Sequence, residues 1–104
     1  MSNKKKKVRE NFRNEVFSRD KNKCLKCGEV AVDAHHITDR NEMPNGGYVL
    51  ANGISLCDKC HIKAEVWHIS GNLEFEEGFH PNDLYKLIGS NYGLALHKSK
   101  QLGG

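Results

Sequence analysis

Three short stretches of the chain carry side chains that suit a hydrolytic metal site. His35 and His36 are adjacent, Asn52 follows a glycine-rich loop, and His61 comes directly after the last cysteine. A neutral imidazole is a common metal ligand and also a base that accepts a proton near neutral pH. A divalent ion beside such a base can bind a phosphate and stabilise charge on the leaving oxygen. We therefore predict hydrolysis of phosphodiester bonds.

The four cysteines form two pairs, Cys24-x-x-Cys27 and Cys57-x-x-Cys60. This spacing lets four thiolates converge tetrahedrally on zinc. The interval between the pairs, residues 28–56, is longer than the roughly 15–20 residues usual in zinc ribbons, and the double histidine lies within it. We therefore expect a structural zinc ion that clamps the two ends of an active-site module.

Two disulfides are the alternative use of four cysteines in a short chain. The first residues argue against this use, because Met1-Ser2-Asn3 leads directly into four lysines without the apolar stretch of a secretory signal. A cytoplasmic, reducing location is expected, and paired Cys-x-x-Cys motifs more often bind metal there. No apolar run is long enough to cross a bilayer, so we expect no membrane-spanning role.

Length and composition bound the size of the hydrophobic core. The chain has 104 residues, 38% of them hydrophobic, and a mean hydropathy of −0.67. These values predict one domain over residues 1–104 with a thin core, and small domains often need a metal or a disulfide. Structural zinc supplies roughly 10–16 kcal/mol of apparent binding free energy in small peptides, so zinc is expected to be part of the fold.

Basic residues are concentrated near the N-terminus, although the net charge of +3 does not by itself indicate a nucleic-acid-binding protein. Such a cluster suits contact with phosphates, whose counterion release drives binding that is independent of base sequence. The alternative is a solvated, disordered segment. Arg40 and Lys63, near the histidines, present the same choice. The candidate DNA-contacting residues are Lys4, Lys5, Lys6, Lys7, Arg9, Arg40 and Lys63.

Hydrophobic periodicity predicts the elements that position these residues. A flexible basic arm at 1–7 precedes an N-terminal helix at 8–23, where Phe12, Val16 and Phe17 recur at helical spacing. This helix is expected to pack on the zinc module.

The core region, residues 24–68, is predicted to run strand, loop, strand, helix. Residues 30–37 have the β-branched content of a strand that ends at the double histidine. The loop at 38–47 is rich in Asp, Asn and Gly, and extended structure is expected to resume at 48–50. A helical pattern covers residues 57–68.

Residues 69–104 predict a C-terminal extension of strand and helix. Residues 72–76 alternate like a short edge strand, and His80-Pro81 opens a helix with proline at a favoured early position. Gly89 and Gly93 predict a break before a last helical segment. The predicted fold class is α+β.

The motifs Cys-x-x-Cys, His-His-Ile and Asn-x-Ile-x-Leu-Cys-x-x-Cys-His follow one another over residues 24–68, and this composite resembles the HNH nucleases, the ββα-metal or His-Me finger family. Residues 83–90 are also similar to small phage-type members. The resemblance implies a single HNH nuclease domain, built as a small zinc-stapled ββα-metal module with flanking N- and C-terminal helices. It also implies a metal-dependent endonuclease that cleaves DNA.

The same resemblance implies that His35 is a metal ligand, His36 the general base and His61 the second protein ligand. Asn52 matches the family's central Asn, which orients the base through its carbonyl or ligates the metal; we favour orientation, since two imidazoles already serve as ligands. Adjacent strand residues point to opposite faces, which favours separate roles for the two adjacent histidines. Two alternatives stay open. In the first alternative, His61 is instead a ligand of the structural zinc. The second concerns His68, seven residues further on, which either assists the metal or caps the helix.

Cofactors and partners follow from the resemblance as well. It implies structural Zn²⁺ at the four cysteines and catalytic Mg²⁺, Mn²⁺ or Ni²⁺ at the histidines. The expected substrate is double-stranded DNA, cut on one strand or on both. A phage-encoded enzyme would act in the bacterial host cytoplasm, beside terminase or portal proteins, as a monomer or homodimer.

Two other hypotheses are a non-catalytic zinc-stapled DNA-binding module and a zinc-stapled protein-interaction domain. In both, the histidines serve structure alone. The presence of His36, Asn52 and His61 together argues against them, because a binding module needs no unliganded histidine beside a liganded one. Dependence on a divalent ion beyond the bound zinc separates the hypotheses.

Overall fold

Four helices and one two-stranded antiparallel sheet make up residues 2–102, the part of the chain that the computed structural model describes, with side chains described for residues 5–102. This architecture confirms the predicted α+β class. No helix in this part is both long enough and apolar enough to span a membrane. The elements are α1 (Ser2–Arg19), β1 (Asp33–His36), β2 (Gly53–Leu56), α2 (Asp58–Ile69), α3 (Pro81–Leu87) and α4 (Tyr92–Leu102).

The first strand of the sheet is shorter than the sequence predicted, and the second lies elsewhere in the chain. β1 covers only the last part of the predicted strand at 30–37. β2 begins at Gly53, after the predicted extended segment at 48–50, so that prediction was wrong. Ile54 and Leu56 are fully buried, and their burial fixes β2 in register opposite β1. Residues 48–50 instead lead into a short 3₁₀ turn, Leu50–Asn52.

Helix α1 differs from its predicted bounds at both ends. It includes residues 2–7, because lysine is a good helix former. It ends at Arg19 instead of residue 23, because Lys21 and Asn22 adopt left-handed backbone with φ of 57° and 60°. The predicted arm and helix at 1–7 and 8–23 are thus one helix from Ser2 onward.

The inner face of α1 lies against β2 at Gly53. A Cβ atom at this position would lie 2.4 Å from Val16 Cγ2 and 2.8 Å from two ring atoms of Phe12. Both side chains on α1 are buried. Only glycine allows the helix to approach the strand this closely.

Polar contacts hold the end of α1 on the same strand. Arg19 donates hydrogen bonds to the backbone oxygens of Leu50 and Gly53, at 2.9 and 2.6 Å. The Asp20 carboxylate accepts from the Arg19 guanidinium and from the Ser55 N–H. Burial opposes ionisation of Asp20, but these bonds outweigh it and lower the pKa of the carboxyl. The contacts fix α1 relative to the sheet.

The C-terminal region packs two helices over the loop between the strands. His80 caps α3 in a reciprocal capping box with Asp83, as the His80-Pro81 signal suggested. The helical structure is interrupted between α3 and α4 near Gly89, where φ is +66°, as predicted. Asn45 in the loop donates from Nδ2 to the backbone oxygen of buried Ser99 in α4, at 2.9 Å. This hydrogen bond ties the loop to the helix.

The predicted edge strand at 72–76 is absent from the described chain. Its alternating residues Leu73 and Phe75 are 83% and 51% exposed, so no sheet face buries them. The Ser70 hydroxyl accepts the N–H groups of Leu73 and Glu74 and turns the chain directly after α2. This local turn forms instead of a strand because the described chain has no neighbouring strand there that could pair with residues 72–76.

The four cysteines converge where α1, the sheet and α2 meet. The four sulfur atoms all lie within 4.8 Å of one another, and Cys27 Sγ lies 3.4 Å from Cys57 Sγ. Tetrahedral zinc with bonds of about 2.3 Å places sulfurs about 3.8 Å apart, so this set fits zinc. Burial opposes ionisation of Cys24, but backbone N–H groups outweigh it and lower its pKa to about 7, whereas burial and the neighbouring thiols raise the pKa of Cys60. All four cysteines are free, so the two disulfides of the alternative hypothesis are not formed.

Removal of zinc should unfold the protein. A Cys24→Ser variant, or the wild type with a strong zinc chelator, is expected to lose helical circular dichroism and cooperative melting, since apparent zinc binding of roughly 10–16 kcal/mol exceeds the stability of a small domain. The measurement is zinc content by mass spectrometry beside a thermal melt. A zinc-free protein that melts like the wild type would contradict a structural zinc.

Gly53→Ala should destabilise the fold by roughly 1–3 kcal/mol, because the added methyl group overlaps Val16 and Phe12. The matched control is Gly93→Ala in α4, where the nearest atom to the added methyl is Asn91 Oδ1 at 3.3 Å and alanine favours the helix. Chemical denaturation of both variants measures the difference. Equal stability of the two variants would contradict the close approach of α1 to β2.

Candidate active site

An open cleft of about 210 Å³ lies between the end of β1 and one face of α2. The antiparallel sheet brings the end of β1 beside β2, and the cysteine cluster starts α2 directly after β2. Side chains from two distant parts of the sequence thereby share one cavity. Its lining includes His35, His36, Arg40, His61, Glu65 and His68.

His35 lies on the buried side of the cleft and faces α2. Its side chain is 2% exposed, and its Nδ1 atom lies 3.3 Å from Glu65 Oε1. Burial lowers the pKa of His35, so the ring is neutral at physiological pH. The hydrogen bond with His35 lowers the pKa of Glu65 to about 2, so the carboxylate is ionised. The pair offers a neutral nitrogen and an anionic oxygen.

His61 projects from α2 toward the same point. Its Nε2 atom lies 3.1 Å from Glu65 Oε1 and 3.2 Å from Asp33 Oδ2. Two ligand atoms held about 2.1 Å from one ion at a right angle are about 3.0 Å apart, so these separations suit a shared divalent ion. His61 faces carboxylates instead of the cysteine cluster, which overturns the alternative that it binds the structural zinc.

Sequence reasoning missed the two carboxylates of this cluster. Glu65 follows His61 by four residues, and this spacing places both on one face of α2. Asp33 precedes His35 by two residues, which places both on one face of β1. The helical and strand periods carried the signal, but acidic residues at such spacings are common without a metal.

His36 occupies a different environment from its neighbour. Its ring stacks on Phe12 of α1, with centroids 4.4 Å apart, and meets the edge of Tyr48 at 4.7 Å. Burial lowers the pKa of His36 to about 4. Its Nε2 atom is buried without a hydrogen-bond partner in the described chain. His36 therefore lines the cleft as a neutral imidazole outside the cluster of His35, His61 and the carboxylates.

Asn52 is fully buried and lies behind His36. Its side-chain oxygen accepts from the Thr38 N–H and from the Tyr85 hydroxyl, and its amide group donates to the backbone oxygens of Thr38 and Gly47. Its backbone oxygen accepts from the Ile37 N–H. No described hydrogen bond joins Asn52 to the His36 ring, so the expected direct contact is not formed. Asn52 holds the backbone that follows His36 instead.

Tyr85 of α3 supports this arrangement and was not predicted as a site residue. Its hydroxyl lies 2.8 Å from Asn52 Oδ1 and 2.6 Å from Thr38 Oγ1. Burial raises the pKa of Tyr85 to about 12, so the hydroxyl stays protonated and donates to Asn52. The resemblance of residues 83–90 to nucleases pointed to this segment without identifying the tyrosine.

His68 approaches the site from the last turn of α2. Its Nε2 atom lies 2.9 Å from the backbone oxygen of His36. Its ring stacks on that of His35, with centroids 5.1 Å apart. The helix ends at Ile69, and the N–H of the capping residue Ser70 donates to the oxygens of Val66 and His68, so the His68 side chain is not the cap.

The predicted DNA-contacting residues lie in three places. Arg40 is exposed at the cleft, where its Nη1 atom lies 3.5 Å from the Tyr48 hydroxyl. Lys63 lies over the ring of Phe79 at 5.8 Å, away from the cleft lining. The prediction for the Lys4 side chain lies outside the described side chains. The remaining candidates are exposed on α1: Lys5, Lys6, Lys7 and Arg9.

Comparison with known proteins adds one result to this geometry. Residues 23–66 match the family model described as HNH endonuclease. Searches of curated proteins and of solved structures gave no match. The matched segment contains both cysteine pairs, both strands and most of α2. Residues 23–66 are therefore similar to HNH endonucleases, the family that the sequence motifs resemble.

Proposed function

We propose that this protein is a metal-dependent endonuclease that hydrolyses phosphodiester bonds of DNA, with His36 as the general base. One observation carries the proposal. The neutral ring of His36 and the donor cluster around His35 and His61 line the same cleft, yet only the latter groups lie at ligand separations. A hydrolytic site needs both a free base and a charged centre for the phosphate.

His36 would accept the proton of the attacking water. A bond forms between the water oxygen and phosphorus, the bond from phosphorus to the 3′ oxygen breaks, and solvent protonates the leaving oxygen. The products are a 5′-phosphate and a 3′-hydroxyl. Burial keeps His36 neutral in the free protein, and the negative charge of a bound phosphate would raise its pKa toward the working pH.

The metal-binding residues are proposed to be His35 and His61, joined by the carboxylates of Asp33 and Glu65. Mixed nitrogen and oxygen donors suit Mn²⁺ and Ni²⁺, and the carboxylates suit Mg²⁺. A divalent ion bound there would supply positive charge to the scissile phosphate and the leaving oxygen. His35 stays fixed because the buried ring lies between β1 and α2.

Asn52 and the basic residues are proposed to position the reacting groups. Asn52 fixes the Thr38 backbone, and thereby the His36 segment, through buried hydrogen bonds. Arg40 at the cleft and the exposed lysines of α1 would hold the phosphates of double-stranded DNA. The likeness of residues 83–90 to phage-type members supports a phage-encoded enzyme in the host cytoplasm, beside terminase or portal proteins.

His36→Ala should abolish DNA cleavage while leaving metal binding intact. The loss of a general base typically costs about 10²–10⁴-fold in rate. The assay incubates supercoiled plasmid with zinc-loaded protein in Mg²⁺, Mn²⁺, Ni²⁺ or chelator. The matched control is His97→Ala, which removes an exposed histidine of α4 and should cut like the wild type.

Two results of this assay would count against the proposal. If His36→Ala cuts at the wild-type rate, another group is the base. If the wild type retards the plasmid on a gel but never cuts it with any ion, the protein is a DNA-binding module.

The imidazole of His36 should titrate well below the ordinary histidine value near 6.5 in the zinc-loaded protein without other ions. Burial favours the neutral ring, so Phe12→Ala, which uncovers the stacked face, should raise its pKa. Nuclear magnetic resonance titration of both proteins measures the change. An unchanged or lower pKa in Phe12→Ala would show that burial by α1 is not the cause.

A further inference from the structure

The imidazole of His68 has one nitrogen that is bonded and one that is not. Nε2 lies 2.9 Å from the backbone oxygen of His36. A carbonyl oxygen only accepts, so Nε2 carries the hydrogen, and in this tautomer of the imidazole the lone pair lies on Nδ1. That Nδ1 atom is buried and has no hydrogen-bond partner in the described chain. A buried lone pair without a partner calls for an explanation.

Two further donors lie beside His68. One ligand atom from each of His35, Glu65 and His68 lies within 4.8 Å of the others. Glu65 and His68 are three residues apart on α2, which places them on one face, and His35 faces them from β1. The set consists of two imidazoles and one carboxylate, a combination of donors that binds divalent transition metals.

We propose that His35, Glu65 and His68 bind a divalent ion, with His68 as a ligand through Nδ1. A metal-binding histidine nearly always donates its other N–H to a carboxylate, a backbone carbonyl or water. The bond from Nε2 to the His36 oxygen is such a contact, and it fixes the tautomer that leaves Nδ1 free. The ion would give this buried lone pair its partner.

The hydrogen bond from His68 also connects it to His36. The oxygen belongs to His36, the proposed base, so His68 links the metal position to the backbone that carries the base. This inference rests on the proposed function only for that link. The ligand set itself stands on the geometry of the three side chains, whatever the cleft does to DNA.

The neighbouring donors define the competing arrangement. Asp33, His35 and His61, three of the metal-binding residues proposed above, also bring one ligand atom each within 4.8 Å of the others, without His68. An ion confined to those three residues would not depend on His68. Removal of the His68 imidazole therefore separates the two positions.

The test is calorimetric titration of the full-length, zinc-loaded protein with Ni²⁺, which prefers imidazole ligands. His68→Ala should weaken Ni²⁺ binding by at least about 10-fold. His68→Gln, which keeps an N–H group able to reach the His36 oxygen, should weaken it similarly, because the imidazole is lost. The matched control His97→Ala should bind like the wild type. Zinc content and melting temperature are measured for each variant.

Two results would overturn the proposal. Unchanged Ni²⁺ affinity in His68→Ala would place the ion at Asp33, His35 and His61 alone. Recovery of wild-type affinity in His68→Gln would show that His68 acts only through its hydrogen bond to His36.

A spectroscopic measurement on the wild type does not depend on the folding of any variant. In long-range ¹H–¹⁵N spectra of the imidazoles, Zn²⁺ added beyond the structural equivalent should shift His68 Nδ1 while Nε2 stays protonated. A shift of His61 without a change at His68 Nδ1 would contradict the proposal.

The plasmid assay distinguishes failure of this inference from failure of the proposed function. His68-dependent Ni²⁺ binding in a protein that cuts no DNA would retain the metal site and reject the nuclease. DNA cleavage together with Ni²⁺ binding that does not depend on His68 would support the proposed nuclease function and reject His68 as a metal ligand.

Discussion

Convergence of the four cysteine sulfurs is the constraint on which the other features depend. The chain between Cys27 and Cys57 contains both strands and the loop that joins them. Closing this interval places the start of α2 beside the sheet, so residues on α2 face residues on β1. A thin core could not fix this geometry alone, because small domains bury too little surface. Zinc would thus shape the cleft without being part of it.

The second constraint is the close approach of α1 to β2. Because Gly53 has no side chain, Phe12 and Val16 reach the strand, and Phe12 then covers the ring of His36. Adjacent histidines on β1 consequently meet different surroundings: His35 meets acidic and imidazole groups of α2, and His36 meets aromatic rings. The sheet's alternation gives the two rings different neighbours, and the packed helices on each side give them different chemical properties.

The sequence predicted elements whose signals were local. The cysteine spacing, α2 and the capped start of α3 all appear where patterns placed them. The second strand was misplaced because burial of Ile54 and Leu56 is a tertiary effect, and residues 72–76 lack the partner strand that alternation assumes. Within the site, the histidines were visible in the sequence. Tyr85 was not, because only the fold brings it to Asn52. Glu65 was missed although the spacing of four residues on α2 places it beside His61.

Two of the unpaired buried polar atoms in the described chain lie together in the cleft. Three buried side-chain atoms lack hydrogen-bond partners in the described chain, and two of them, His36 Nε2 and His68 Nδ1, belong to the cleft. Asn52 nearby has all its hydrogen-bonding groups paired, so the region is not loosely packed. Unpaired buried groups reduce stability, and folded proteins retain them mainly where function requires them. The cleft therefore holds two imidazoles in fixed positions, each with one buried nitrogen unpaired, at a cost in stability that packing alone does not explain.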